Sequence, residues 1–266
     1  MTDRYVVIGN PIGHSKSPWI HAEFARGTGQ DMDYARMEPP LDGFEAAVDA
    51  FRVAGGRGAN VTLPFKTAAC RYCGALSARA RAAEAVNTLV LDRSVIFGDN
   101  TDGVGLVHDL VSNLDCVLDG RRVLLLGAGG AAQGVVQPLL EAGASVLVIV
   151  NRTAARAQAL AARFSGVKGG GYEQLDDGAF DLVVNATSAG LTGALPPIRP
   201  EMFARGALAY DMMYGKDTPF LAFARENGVR ACDGTGMLVE QAAESFFIWR
   251  GVRPDTGPVL AALRGD

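Results

Sequence analysis

No apolar run in this chain approaches the roughly 20 residues that cross a bilayer, so no membrane-spanning helix is expected. Basic residues are not in excess. The 25 Lys and Arg stand against 29 Asp and Glu, for a net charge of −4. Charge therefore gives no reason to expect nucleic acid or a membrane surface as partner. Cysteine is scarce: Cys70, Cys73, Cys116 and Cys232 are the four present. Cys70 and Cys73 form a C-x-x-C pair, but within a helical pattern, and no second Cys/His pair has ligand spacing. Reduced thiols and no metal site are expected. The start, Met1-Thr-Asp-Arg-Tyr5, runs straight into a strand pattern without a secretory signal, which makes the cytoplasm the expected compartment. Low-complexity segments are also missing.

What is there is an ordinary globular composition, 48% hydrophobic and 20% charged over 266 residues. That is enough apolar material for two cores. The most telling stretch is Arg121-Arg-Val-Leu-Leu-Leu-Gly127-Ala128-Gly129-Gly130-Ala131-Ala132. An apolar strand stops at a cluster of small residues, and an Ala-rich amphipathic pattern follows to about Ala142. This is the strand–turn–helix opening of a nucleotide-binding βαβ unit. Gly127 makes the tight turn, Gly129 lets backbone N–H groups approach a diphosphate, and Ala132 permits close packing. The diphosphate would rest on the helix N-terminus.

Ser145 to Val150 reads as the next buried strand and ends in Asn151-Arg152-Thr153. An NAD-preferring site places an acid here for the ribose 2′-hydroxyl. This chain places Arg152 instead, with Arg156 four residues on. Paired guanidinium groups suit a 2′-phosphate, and so NADP. The alternative is a solvated Arg pair on a surface helix.

The N-terminal part shows a second α/β pattern. Strands are expected at Tyr5–Ile8, Met32–Met37 and residues 58–62, with helices over residues 19–28 and 41–54 between them. This spacing implies a small parallel sheet. Its C-terminal edge gathers Ser15, Ser17, Asn60, Thr62 and Lys66, where open α/β sheets bind ligands. Ser17 before Pro18 is also an N-cap signature, whereas Ser15 has no capping reason to be there. A hairpin is expected from residues 85–91 and 94–97, turning at Asp92-Arg93. Gly98-Asp-Asn-Thr-Asp102-Gly103 follows as a dense polar loop before a helix over residues 104–114. Thr101 or Asp102 could simply cap that helix.

Further strands, at residues 181–184 and 207–210, end in Asn185-Ala-Thr187-Ser188 and Asp211-Met212-Met-Tyr214. Both ends should point at the cofactor. Thr218-Pro219 opens a helix that Asn227-Gly228 closes. Asp233 to Met237 precedes a long helix carrying Gln241 one turn after Met237. The domain boundaries fall near residues 103–118 and 234–240.

Taken in order, these motifs resemble the shikimate dehydrogenase family over nearly the whole chain. Gly9-Asn-Pro-Ile-Gly-His-Ser15-Lys-Ser17-Pro is similar to its N-terminal substrate loop. Asn60-Val-Thr62-Leu-Pro-Phe-Lys66 is similar to its catalytic-lysine motif. Ala85-Val-Asn87-Thr, Asn100-Thr-Asp102, Gly127-Ala-Gly-Gly-Ala131, Asn151-Arg152-Thr153, Asn185-Ala-Thr187-Ser188, Asp211-Met212-Met-Tyr214 and Gly236-Met237-Leu-Val-Glu-Gln241 continue the series. One departure is Glu84, where the family more often has a small residue.

The resemblance implies a two-domain α/β protein. Residues 1–102 with 241–266 would form a substrate-binding catalytic domain, and residues 103–240 a Rossmann-type NADP-binding domain. It implies reversible reduction of 3-dehydroshikimate by NADPH, with Lys66 as general acid and Asp102 as its partner. Ser15, Ser17 and Tyr214 would hold the substrate carboxylate, and Asn60, Thr62, Asn87, Asp102 and Gln241 would read its hydroxyls. Gly127 to Ala131, Asn151, Arg152, Thr153, Arg156, Thr187, Ser188, Met212, Gly236 and Met237 would bind NADP. A quinate or amino-shikimate paralogue, and a non-catalytic NADP-sensing protein, are the alternatives. The oligomeric state stays open, a homodimer included.

Overall fold

A computed structural model describes residues 2–92, 94–175 and 178–265. The chain forms two compact units, Met1–Gly105 with Val239–Asp266, and Leu106–Leu238. The first begins with β1 (Asp3–Ile8), α1 (Ser17–Thr28), β2 (Met32–Met37), α2 (Phe44–Val53) and β3 (Gly56–Val61). It continues through α3 (Lys66–Tyr72), β4 (Ala75–Leu76), α4 (Ala78–Ala83), β5 (Thr88–Val90) and β6 (Phe97–Asp99), and α5 (Asp102–His108) begins in it and ends in the second.

The sheet order is β2-β1-β3-β5-β6-β4. β1 runs parallel to β2 and β3, as the helices between them require. β5 runs antiparallel to β3 and to β6, so the expected hairpin extends the sheet. Its strands are shorter than the sequence pattern suggests, and the second starts at Phe97 rather than Ser94. Val86, expected inside the hairpin, instead donates its N–H to Lys66 O. Arg93, half of the expected turn, lies outside the described residues. β1 is buried on both faces, which the period-two geometry of a strand makes plain. Val6 and Ile8 pack with Phe44, Val48 and Phe65, while Tyr5 and Val7 pack with Ile12, Tyr34 and Trp249.

The helix expected over residues 104–114 starts earlier, at Asp102, and changes at Asp109 into a π-helical turn over Asp109–Asn113. The second unit then runs β7 (Arg122–Leu126), α6 (Gly130–Glu141), β8 (Val146–Val150), α7 (Ala154–Ala161), β9 (Lys168–Gly170) and β10 (Phe180–Asn185). β11 (Phe203–Asp211), α8 (Pro219–Glu226) and β12 (Arg230–Cys232) complete it. The order β12-β11-β10-β7-β8-β9 is parallel throughout. The chain moves outward from β7 on one side and resumes at β10 on the other, so the loop after β7 sits at a topological switch point. Val123 and Leu125 face one core, Leu124 and Leu126 the other, and all four are fully buried. That accounts for an unbroken apolar run rather than an alternating one. β9 gave no strand pattern in the sequence because two of its three residues are glycine. The chain finishes with α9 (Thr235–Arg250) and α10 (Gly257–Arg264). No described helix is long and apolar enough to cross a membrane.

Glu84, a departure from the family pattern, ends α4. It holds a left-handed backbone at φ 52°, ψ 29°, its N–H donates to Arg81 O, and its side chain is exposed. A helix stop of this kind favours glycine, because an L side chain is strained there. Glu84→Gly is expected to stabilise the fold by about 1 kcal/mol. In thermal unfolding this is a rise in Tm of roughly 2–4 °C for a chain of this size.

Candidate active site

In the first unit, the first residue of α3 and the first residue of α5 supply a cation and an anion. Lys66 Nζ donates to Asp102 Oδ2 at 2.5 Å, with only 17% and 7% of the two side chains exposed. A cation at a helix N-terminus opposes the helix dipole, whereas a carboxylate there is favoured. Asp102 is thus a natural anchor, and Lys66 depends on it. The other oxygen, Asp102 Oδ1, accepts from Asn87 Nδ2 at 2.8 Å. The same amide nitrogen lies 2.8 Å from Thr101 Oγ1 and 3.2 Å from Gln241 Oε1. Asn87 Oδ1 accepts from Thr101 N and Thr88 Oγ1. Lys66, Asp102, Asn87 and Gln241 are therefore joined in one continuous hydrogen-bonded array.

Ser15 and Ser17 are buried side by side. The helix begins at Ser17 itself, with Lys16 in the capping position and no side-chain cap. Ser17 is therefore not the N-cap that Ser-Pro suggested. Ser15 has the local role it was thought to lack: its Oγ accepts the Ser17 N–H at 3.2 Å. Thr62 lies one residue beyond β3, half-buried against Gly9.

Asn60 is held from both sides of its amide. Its Oδ1 accepts from Tyr34 OH at 2.7 Å and from His21 Nε2 at 3.2 Å. Its Nδ2 faces Asn87 O, Thr88 Oγ1 and Ser245 Oγ. Two donor hydrogens and two lone pairs all have partners inside the protein, as do those of Asn87. The sequence pattern placed Asn60 on the right strand but could not show Ser245, 185 residues away. Ser245 has a signal in hindsight, since it follows Gln241 by one helical turn.

Also missed was a charged brace behind the Asp102 loop. Arg79 grips Asp99 through Nε at 2.7 Å and Nη2 at 2.9 Å, and reaches Glu244 of α9 at 3.1 Å. Asp99 Oδ1 accepts the Asn100 N–H, and Asn100 Oδ1 accepts the Asp102 N–H.

The second unit holds the glycine loop. Gly127 has φ 109°, and a Cβ there would meet Ala186 O at 3.1 Å. Beyond it the cradle is open, with no atom within 4 Å of a Cβ built at Gly129 or Gly130. No side chain caps α6. Ala128 is buried and Ala131 half-buried. At the end of β8, Asn151 Nδ2 donates to Thr153 O, while Arg152 and Arg156 are exposed and have no ion-pair partner among the described residues. An open loop, an uncapped helix and two uncommitted guanidinium groups suit a diphosphate and a further phosphate.

Thr187 N–H and Oγ1 both donate to Asn185 Oδ1, and Asn185 Nδ2 donates to Asp211 Oδ2. The ends of β10 and β11 are thereby tied together. Burial pushes the Asp211 carboxyl up, while bonds from Thr218, Met213 N and Asn185 oppose the rise. Ser188 is exposed, Met212 half-buried and Met237 buried. Tyr214 is half-buried in this unit, and burial raises its phenol. Among the described residues, no group of three or more His, Cys, Asp or Glu is placed to hold a metal ion.

Comparison with known proteins adds three family matches. The shikimate dehydrogenase substrate binding domain matches residues 7–89, shikimate/quinate 5-dehydrogenase residues 109–193, and the shikimate 5′-dehydrogenase C-terminal domain residues 234–264. The chain is 58% identical to a protein of Nitrosospira multiformis named shikimate dehydrogenase (NADP(+)), over 100% of this chain and 98% of the relative. Among solved structures it resembles an Ael1 enzyme from Pseudomonas putida, with TM-score 0.94, 50% identity and 98% of both chains covered. It also resembles shikimate 5-dehydrogenase from Thermus thermophilus in complex with NADP(H) and shikimate, with TM-score 0.89, 34% identity and 99% of both chains covered.

His21 is fully buried, stacked on Tyr34 at 4.2 Å, and burial holds its imidazole down to about 3 against the hydrogen bond to Asn60. In the unfolded chain the ring protonates near 6.5. The unfolded state thus takes the proton first as pH falls. Stability from the neutral ring is complete above about pH 6.5 and is lost on descent towards pH 3. At pH 5 the loss is about 2 kcal/mol. Urea unfolding at about pH 7.5 and pH 5 measures it, and the difference shrinks in His21→Phe.

Proposed function

The chain belongs to the shikimate dehydrogenase family, and from that premise we propose that it reduces 3-dehydroshikimate to shikimate with NADPH, reversibly, as a cytoplasmic enzyme of aromatic amino acid biosynthesis. The observation that carries this reading is the Lys66–Asp102 pair joined to Asn87 and Gln241. When bound, NADPH supplies the hydride that reduces the ring ketone. Lys66 delivers a proton to the alkoxide oxygen, so that C=O becomes CH–OH. An ammonium has three donors, and Asp102 occupies one of them, which orients the others. In the reverse direction Lys66 accepts the hydroxyl proton. Stabilising the developing alkoxide charge is part of the same role.

Ser15, Ser17 and Tyr214 hold the substrate carboxylate through hydroxyl donors. Asn60, Thr62, Asn87, Asp102 and Gln241 read the ring hydroxyls. Gly127 to Ala131 take the diphosphate at the start of α6. Arg152 and Arg156, beside Asn151 and Thr153, take the 2′-phosphate, which favours NADP over NAD. Thr187, Ser188, Met212, Gly236 and Met237 adjoin the ribose and nicotinamide. A non-catalytic NADP-sensing protein would have no use for a buried Lys–Asp pair.

Lys66→Ala is expected to lower NADPH oxidation by 3-dehydroshikimate about 10²- to 10⁴-fold, with NADP⁺ binding unchanged. Full activity would remove Lys66 from the mechanism. A panel of shikimate, quinate and amino-shikimate at saturating NADP⁺ tests the substrate, and a preference for quinate would overturn the assignment. Arg152→Ala is expected to raise KM for NADPH about 10- to 100-fold while changing KM for NADH little.

A further inference from the structure

In the second unit a buried carboxylate and a buried phenol meet at a place that the proposed chemistry does not use directly. Asp109 is the first residue of the π-helical turn and is fully buried. Its Oδ2 accepts from Tyr210 OH at 2.6 Å, and its Oδ1 accepts from Asn113 Nδ2 at 3.0 Å. Tyr210, near the end of β11, is also fully buried. Its hydroxyl has a second task, accepting the Met237 N–H at 3.3 Å.

The carboxylate touches the same segment from another side. A Cβ on Gly236 would lie 1.8 Å from Asp109 Oδ1, so the backbone at 236 is pressed against the acid and only glycine fits. Two independent contacts thus fix two successive residues at the start of α9. π-Helical turns are rare and recur at functional sites. Here the side chain at the start of the turn is the one that meets Gly236.

We propose that Asp109 and Tyr210 are positioning residues that set the Gly236–Met237 backbone against which the nicotinamide end of the cofactor lies. The inference rests on the functional reading above, which places Gly236 and Met237 at that end. The phenol donates to the acid and accepts from Met237, so one hydroxyl links the acid to the Met237 backbone. Replacing it with a hydrogen atom removes both and leaves the ring in place.

The test compares Tyr210→Phe, Asp109→Ala and Asp109→Asn with the wild-type protein. Two ligands are titrated: NADP⁺, and adenosine 2′,5′-bisphosphate, which has the 2′-phosphate end and no nicotinamide. Tyr210→Phe is expected to lose about tenfold in kcat and to bind NADP⁺ more weakly, the scale of one well-placed hydrogen bond. Its affinity for the bisphosphate stays within about twofold of wild type. Asp109→Ala behaves like Tyr210→Phe. Asp109→Asn keeps an oxygen acceptor for the phenol and recovers most of the loss. If one variant is insoluble, the contrast between the remaining two decides the question. Unchanged kcat, or NADP⁺ and bisphosphate affinities falling in step, would overturn the proposal, since general loosening of the unit moves both ligands. A wild-type protein that neither binds NADP⁺ nor turns over 3-dehydroshikimate would defeat the functional reading instead.

Discussion

A lysine at the start of a helix is in the wrong electrostatic place, and the first unit is arranged to correct it. The ammonium of Lys66 faces the positive end of α3 and is mostly withdrawn from water, so it requires a counter-charge close by. Asp102 supplies the charge from the favourable end of another helix. For the two to meet, the chain between them must turn back through β4, α4 and the β5–β6 hairpin. The antiparallel extension of an otherwise parallel sheet is what returns the acid to the lysine. Removing either partner would leave the other charge without compensation, which is why such pairs are costly to break even when their net contribution to stability is small.

Asn87 makes the pairing specific. Its backbone is stitched on both sides, with Val61 N donating to its carbonyl and its own N–H donating to Asp99 O. The side chain is therefore delivered by the sheet register, which pairs Asn60 with Thr88 and Thr88 with Asp99. Behind it, Thr88, Thr101, Ser245 and Asn60 satisfy one another. A polar network of this kind is favourable only when every member is paired, and then it fixes one arrangement. Arg79 adds the charged layer, bracing the Asp102 loop through Asp99 and α9 through Glu244.

Local signals were legible in the sequence and distant pairings were not. The glycine turn after β7, the Thr218-Pro219 helix start and the Asn227-Gly228 stop depend on a few adjacent residues, and the backbone follows them. Lys66, Asp102, Asn87 and Gln241 were named as candidates, but the array joining them was not foreseeable, since their spacings carry no periodic pattern. Asn60 shows the limit most clearly. The sequence pattern gathers it with Thr62 at the C-terminal edge of the sheet, which says nothing about whether protein or ligand fills its amide. Glu84 shows the converse. As a residue type it stands out only against the family pattern, whereas its left-handed helix stop shows in the backbone.

The buried support has a consequence for how the proposed site distinguishes its ligands. Asn87 and Gln241 enter any encounter with their orientations already set by neighbouring groups, so little reorganisation accompanies binding. Pre-set polar groups cannot turn away to find another partner when a ligand lacks a hydroxyl. An analogue missing that group forfeits its contact with the array, while the array keeps the internal pairs it already has. The orientation of Asn87 in the proposed site is therefore set by the Asn60–Thr88–Thr101–Ser245 layer behind it.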